Sequence, residues 1–598
     1  MANTSYNLNF WKFLEKIESE DVPFVFDFTK YAYEKDPLYH LFEAWKPYYN
    51  MKYHLCKFLA PTSILEIGVR YGYSAVAFMN AVPKAKYIGI DNESADPGGV
   101  LSAVEYAREL LKEYNAEIII DDTQLMDRFP GDVYDLIHVD EQQNGDSTFH
   151  DLELALGQGR YILVDGYFWS NENMLAATYF MQKYKEFIHY STIIPGYAGE
   201  LLIKVKRRYS KQKRSYMDLS GDYNSKYYLT DCGGYDAFLK SDGRQLDSRL
   251  GHLVDLLADI NEKNVLDIGC GRGELTNHLY EMGANAVGVD YSQDAIDIAR
   301  STFAQNLGNK LQYLCEDILA FQEQEKYHRI IMADVVEHIE QNSLDKLLGK
   351  IRAILNTNGY VLIHTAPNKL YYDIFYAEHV RKVRELGVYI PSNPRSYYED
   401  LMHINEQTAE TMQKALEKHF EHVVVWTAPF QDKFWEYYGK DCPYEIASSH
   451  FSIYAVAAKS SEVLMEFTSL IDEIKNYKLD RDDVDIEIRA SYNTFGTVSV
   501  WVRNNGNKTI RQYADSQVNI AYHIIDCTGN IIVWDGERTK LIHDLPKNGG
   551  VLEQSIIIDY KSLPKDKEYK VVITLVQEGL FWFDDIDKRF SCEIKLKL

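Results

Sequence analysis

The sequence is short of paired cysteines, of long apolar runs and of positive charge. Its seven cysteines, at 56, 232, 270, 315, 442, 527 and 592, stand singly, with no CxxC spacing and an odd count. That argues against a disulfide framework and against a zinc ribbon, which both need cysteines at paired spacing. Reduced thiols in a cytoplasmic protein are the expectation. No stretch approaches the ~20 apolar residues that span a bilayer, so no membrane insertion is expected. The first residues, MANTSYNLNFWKFLEKIESE, lack the basic start and apolar core of a signal peptide. Lys and Arg number 64 against 89 Asp and Glu, a formal net charge of −25. A protein that grips a phosphate backbone shows a basic face, so nucleic acid and anionic membranes are disfavoured as partners.

What the chain does have is length and repetition. Its 598 residues predict about three to five domains. With 46% hydrophobic residues, each can bury a core. Residues 1–60 read as helical and aromatic-rich. From 64 to 206, the apolar runs SILEIGV, KYIGID, AEIII, YDLIHVD and RYILVDG are separated by helix-length segments, and FIHYSTIIP and ELLIKVK close the unit. Strands alternating with helices predict a mainly parallel α/β sheet. A basic connector, KRRYSKQKRSY, follows. From 217 to 460 the rhythm repeats, with NVLDIG, NAVGVD, LQYLCED, HRIIMAD and GYVLIHTAP as strands and EHVVVWTAPF and HFSIYAVAAK as the last pair. An aromatic-rich insert at 368–405 follows HTAPN, and long inserts of this kind often act as lids. Beyond about 465, seven or so short alternating strands predict an antiparallel β-sandwich. The expected layout is 1–206, a linker at 207–216, 217–460 and 465–598.

One short stretch occurs twice, as ILEIGVRYGYS at 64–74 and VLDIGCGRGEL at 265–275. In the second copy, a strand ending at Asp267 runs into Gly269, Gly271 and Gly273 and then a helix. Glycines there let the backbone turn tightly and approach a ligand. The spacing is GxGxG, not the GxGxxG of a dinucleotide site. An acid at that mouth repels phosphate but pairs with an ammonium group, which suits a nucleoside carrying an amino acid. Asp290 ends the next strand, where a carboxylate can accept from two ribose hydroxyls. Asp317 ends the third, where an adenine amino group can donate to it.

VLDIGCGRGEL, GVDYS, CEDI, ADVVEHI and NGYVLIHTAPN, in that order, resemble class I S-adenosylmethionine-dependent methyltransferases over residues 217–459. The resemblance implies a Rossmann-like, mainly parallel seven-stranded sheet. It places Gly269, Gly271 and Gly273 around the amino-acid moiety, Asp290 on the ribose, and Asp317 with Ile318 at the adenine. The leader YYLTDCGGYDAFL and the later HINEQT resemble methyltransferases of bacterial polysaccharide and glycan clusters. Methyl transfer needs an aligned acceptor and removal of its proton. Asp334, Glu337 and His338 in DVVEHI are the candidates, with His338 the natural base because it titrates near neutrality. The same three match the spacing of a divalent-metal site in ubiquinone-type O-methyltransferases. The alternative is that Glu337 and His338 cap the following helix. His403 and Glu406 are candidate acceptor contacts.

The first copy keeps an acid, Glu66, with Gly68, Gly72 and Ser74, but has Arg70 in place of the middle glycine. Asp91 ends its second strand and Asp122 follows its third. This region resembles the branch whose loop reads LEIGxxxGxS, which includes macrolide-sugar and cephalosporin-type enzymes. Relatives in that branch hold magnesium with acids after the fourth and fifth strands, which implies Asp140 and Asp165 here. Where they place a histidine base, this chain has Gln143, which takes no proton at neutral pH. His150 is a substitute candidate, and His138 reads as a core histidine on the opposite face. The sandwich resembles modules attached to glycan-modifying enzymes. Trp534, Trp582 and Phe583 could stack on sugars or pack in its core.

These readings predict a bifunctional O-methyltransferase of sugar hydroxyls in a bacterial glycan or its precursor. It would hold two S-adenosylmethionine molecules and take Mg2+ or another divalent metal. A chain with one active head, whose first domain and sandwich serve as a glycan-docking scaffold, stays open. So do a natural-product methyltransferase and a homo-oligomeric state.

Overall fold

The computed structural model describes residues 2–94, 100–140, 142–209, 221–321, 326–429, 447–475, 477–492, 497–511, 517–542, 544–560, 563–564 and 567–597. Residues 210–216 of the expected connector, and Cys442, lie outside them. The other six cysteines are free. The chain divides into two compact units, Met1–Lys213 with Tyr376–Asp400, and Arg214–Phe375 with Leu401–Leu598.

The first unit is built on seven strands: β1 (Ser63–Ile67), β2 (Lys86–Asp91), β3 (Ala116–Ile120), β4 (Tyr134–Val139), β5 (Gly159–Val164), β6 (Ile188–Ile194) and β7 (Glu200–Val205). The sheet order is β3-β2-β1-β4-β5-β7-β6, with β7 antiparallel to β5 and β6. Ile64, Leu65 and Ile67 on β1 are fully buried, as expected of a parallel strand covered on both faces. Helix Phe42–Leu59 carries Trp45, Tyr48, Tyr49 and Lys52 at helical spacing on one face.

The second unit repeats the plan with β8 (Asn264–Ile268), β9 (Asn285–Asp290), β10 (Leu311–Cys315), β11 (Tyr327–Ala333), β12 (Leu355–Thr365), β13 (His422–Ala428) and β14 (Ser452–Ala458). Its order, β10-β9-β8-β11-β12-β14-β13, is the same as the first, strand for strand. In each sheet the order reverses between the first strand and the fourth. A doubly wound sheet opens its ligand crevice at that point, beyond the carboxyl ends of the strands. The two glycine loops sit there.

The rest of the second unit is a run of antiparallel strands. Ile486–Tyr492, Val498–Asn504 and Gly550–Ile556 form one sheet, and a six-stranded sheet is built around Val518–Asp526 and Glu568–Gln577. Val500 and Val502 of the first sheet share an apolar core with Ile520, Val571 and Ile573 of the second. Phe583, expected as a sugar contact or as core, lies fully buried in that core.

Residues Tyr376–Asp400 group with the first unit. The Arg384 guanidinium donates to both Asp146 carboxylate oxygens at 2.7 and 2.8 Å. The Tyr389 hydroxyl donates to the same carboxylate at 3.0 Å. This stretch is a strap on the helix Gly145–Gln158, which no local pattern in the sequence announces. Among the described residues, no helix is long and apolar enough to cross a membrane.

Candidate active site

In the second unit, all three loop glycines take positive φ: 71° at Gly269, 52° at Gly271 and 80° at Gly273. At Gly273 a β-carbon would also come within 2.6 Å of the Tyr313 ring and 2.7 Å of Ala299, so space as well as backbone demands glycine there. Asp290 braces the turn: its Oδ2 accepts from the Gly271 amide at 3.0 Å and its Oδ1 from the Ser292 amide at 2.8 Å. Asp267, below the loop, accepts from the Thr276 hydroxyl at 2.6 Å. Burial pushes the Asp267 carboxyl up to about 7, and burial likewise pushes Asp290 up to about 6. Among the described residues no basic side chain offsets either rise, so the loop gathers negative charge that a cationic ligand would relieve. A sulfonium nucleoside bearing an ammonium group fits that charge.

Each carboxyl titrates above its ordinary value of 3.8. Below about 6 to 7 the carboxyls are protonated in the empty site, so a cationic ligand must displace a proton, at a cost that grows as pH falls. Cofactor affinity is expected to be about tenfold or more weaker at pH 5.5 than at pH 8. Binding at pH 6 should release protons, read by calorimetry in buffers of different ionisation heat. Proton uptake would contradict the charge assignment.

The leader wraps this loop. Arg272 is buried and donates to the carbonyls of Tyr228, Cys232 and Gly233 and to Glu274. Ser292 donates to the Tyr223 carbonyl at 2.7 Å, and the Tyr223 hydroxyl lies 2.9 Å from His338 Nδ1. Sequence reasoning passed over Arg272, Tyr223 and Tyr228. The run of tyrosines just before the first strand was the available signal.

Beyond β11 the candidates separate. Glu337, His338 and His403 each offer one ligand atom, and these atoms lie within 4.8 Å of one another. Asp334 stands apart from that trio. Its carboxylate is taken by Arg249 and by His364 Nδ1, the latter at 2.6 Å, and its backbone is held at φ 54°. The placement reserves Asp334 for structure around the β11 turn and puts His403, expected as an acceptor contact, among the metal-capable groups. Glu406 reaches His403 at 3.5 Å. Burial, and next the neighbouring His403, hold His338 down at about 3, so its imidazole is neutral at pH 7. Glu337 is pushed up by burial, with Thr365 donating to its Oε2 at 2.7 Å. One carboxylate and two imidazoles suit a divalent ion with open positions. Asp317 accepts from the Leu319 amide at 2.9 Å, and Ile318 is half-buried against the core.

In the first unit, Gly68 and Gly72 take φ 82° and 77°, and Arg70 takes 48° where Gly271 takes 52°. The turn survives the loss of the middle glycine, although a left-handed arginine costs ~1 kcal/mol. The Arg70 guanidinium is anchored on both oxygens of buried Asp36 at 2.9 and 2.7 Å. Asp91 accepts from the Val69 and Arg70 amides at 2.9 and 2.8 Å, the latter matching the Gly271 amide that Asp290 holds in the second unit. A cavity of about 250 Å³ runs from Gly68, Ser74 and Asp91 to Asp140, Gln143 and Asp165, with Trp45, Trp169 and Tyr197 on its wall. Asp122 and His150 are not part of its lining. Asp122 caps the turn Thr123–Leu125. His150, expected as a substitute base, stands beside Asp151 at 3.5 Å.

Glu66 differs from Asp267. Its two oxygens accept from the Ser74 and Tyr87 hydroxyls, and His138 Nδ1 lies 2.8 Å from Oε1. His138 is fully buried. It does not point away from the site: residues two apart on a strand share a face, so it lies on the side of Asp140. The acids expected to hold magnesium do not fit it. Asp165 Oδ1 accepts from Lys52 Nζ at 2.6 Å and from the Tyr48 hydroxyl, and its Oδ2 accepts from Gln143 Nε2 at 3.0 Å. Lys52, with His138 next, holds the Asp165 carboxyl far below its ordinary value against the opposing effect of burial. Burial and the Asp165 charge push Asp140 well up. Lys52, Tyr48 and Glu200 were not anticipated, and a lysine on the aromatic face of helix Phe42–Leu59 was the overlooked signal.

Comparison with known proteins bears on the second unit. Residues 243–419 match the family model described as a methyltransferase domain. The chain is similar to the ubiquinone biosynthesis O-methyltransferase of Rickettsia felis, 32% identical over 158 residues, which cover 25% of this chain and 60% of that protein. The Nitrosomonas europaea enzyme of the same name is 24% identical over 146 residues, covering 24% of this chain and 61% of its own. The chain thus spans about 60% of the length of these curated relatives. Among solved structures, the magnesium protoporphyrin IX methyltransferase of Synechocystis with bound S-adenosylhomocysteine matches 41% of this chain and 96% of its own. Its identity is 17% and its TM-score 0.27.

Proposed function

We propose that the chain is an S-adenosylmethionine-dependent O-methyltransferase of sugar hydroxyls, with a cofactor site in each α/β unit. The observation that carries the reading is the pair of buried acids, Asp267 and Asp290, gathered at a glycine loop where, among the described residues, no basic side chain offsets them. The cofactor supplies an electrophilic methyl group, and this chain's residues orient what meets it. Glu337, His338 and His403 would hold a divalent ion, which would lower the pKa of an acceptor hydroxyl. With no ion bound, neutral His338 would instead accept or relay the proton.

Support for a sugar acceptor comes from the glycan-type leader and HINEQT and from Trp45, Trp169 and Tyr197 in the first unit's cavity, since aromatic faces stack on sugar rings. In the C-terminal strands, which we read as a sandwich, Trp534 is exposed and stacks on His523 with centroids 4.0 Å apart, while Trp582 packs on the same ring. They form a second aromatic platform for a glycan. A second reading, a first unit that binds without transferring, is favoured by the saturated Glu66 and by Gln143 at the base position. Incubation of the full chain with labelled cofactor and a panel of nucleotide sugars and glycan fragments, read by mass spectrometry, tests the proposal. Label on a sugar oxygen supports it. Label only on catechol-type or other non-sugar acceptors overturns the acceptor class.

A further inference from the structure

The acidic floor of the first unit's cavity already contains a cation. Lys52, 1% exposed, places Nζ 2.6 Å from Asp165 Oδ1, 3.4 Å from Glu200 Oε1 and 3.0 Å from His138 Nε2. Asp165 has no oxygen to spare: one faces Lys52 and Tyr48, the other Gln143. The same Gln143 amide reaches Asp140 at 3.2 Å. Glu66, His138 and Asp140 are close enough to hold an ion. Yet the Glu66 oxygens accept from Ser74 and Tyr87, and the His138 ring nitrogens face Glu66 and Lys52. A divalent ion would have to displace these partners and sit beside an ammonium group, in a buried place where like charges repel strongly.

We propose that Lys52 is the resident cation of the first unit, its ammonium filling the place among Asp165, Glu200 and His138 that a divalent metal would take. The acceptor end of this unit is then metal-independent. Lys52 is a positioning residue: it fixes Asp165, Asp165 fixes Gln143, and Gln143 with Asp140 presents hydrogen-bonding groups to a hydroxyl-bearing ligand. The inference holds whether or not this unit transfers a methyl group.

Mn2+ bound by the full-length protein, counted by electron paramagnetic resonance of the free ion, tests it. Wild type and Asp140→Asn are expected to bind the same number of ions per chain. Lys52→Met, which keeps the stem and removes the charge, is expected to bind one more, and Lys52→Met with Asp140→Asn to lose it again. A purely structural lysine would not create an ion site on removal. A lower count in Asp140→Asn than in wild type overturns the proposal, as does a folded Lys52→Met that gains no ion. If Lys52→Met does not fold, the comparison of wild type with Asp140→Asn decides alone.

Discussion

Asp290→Ala is expected to lower S-adenosylmethionine affinity at the second unit by about 100-fold. The carboxylate is placed to accept from ribose hydroxyls. Two hydrogen bonds to a charged group, at about 1.5 kcal/mol or more each, amount to ~3 kcal/mol. Asp290 also holds the Gly271 and Ser292 amides, so its removal loosens the turn that approaches the ligand. Calorimetry with S-adenosylhomocysteine reads the loss, and Asp290→Asn should keep part of the affinity, since an amide oxygen still accepts from the loop. Undiminished affinity in Asp290→Ala would remove this carboxylate from the site.

Glu337→Gln and His338→Ala are expected to slow methyl transfer by about 10²–10⁴-fold, the range for loss of a positioned proton acceptor. Cofactor affinity should change little, because neither side chain braces the glycine loop. If an ion is held by Glu337, His338 and His403, each variant should also weaken Mn2+ binding, and His403→Ala should behave alike. Transfer at the wild-type rate in both variants would take the trio out of the chemistry. Asp334 is a poor place to run this test. Its carboxylate answers Arg249 and His364, so removing it takes away a partner of a half-buried guanidinium and confounds catalysis with folding.

The fold was legible because its signals are local. A short apolar run ending in an acid, followed by glycines and a helix, specifies a strand, a turn and a helix entry within eleven residues. Repetition of that rhythm gave both seven-stranded sheets. The bracing acids Asp91 and Asp290 were legible too, since the end of the second strand is fixed by strand length. What stayed hidden depends on contacts between distant residues. Lys52 meets Asp165 across 113 positions, and nothing near either residue specifies the pairing. Arg249 meets Asp334, and Arg384 meets Asp146, in the same way. The helical period of Phe42–Leu59 marks an aromatic face but not the acids it covers. His138 shares a face with Asp140 because residues two apart on a strand lie on one side, so its burial and its place beside the site go together.

ILEIGVRYGYS, the first copy, keeps the turn with an arginine in a glycine's conformation, and Asp91 holds its amides as Asp290 holds those of the second copy. On this ground we propose two cofactor sites in one chain. Equilibrium binding of S-adenosylhomocysteine to the full-length protein tests this most directly. Two molecules per chain are predicted, with Asp290→Ala and Asp91→Ala each leaving one. A single molecule per chain, abolished by Asp290→Ala and untouched by Asp91→Ala, would contradict it.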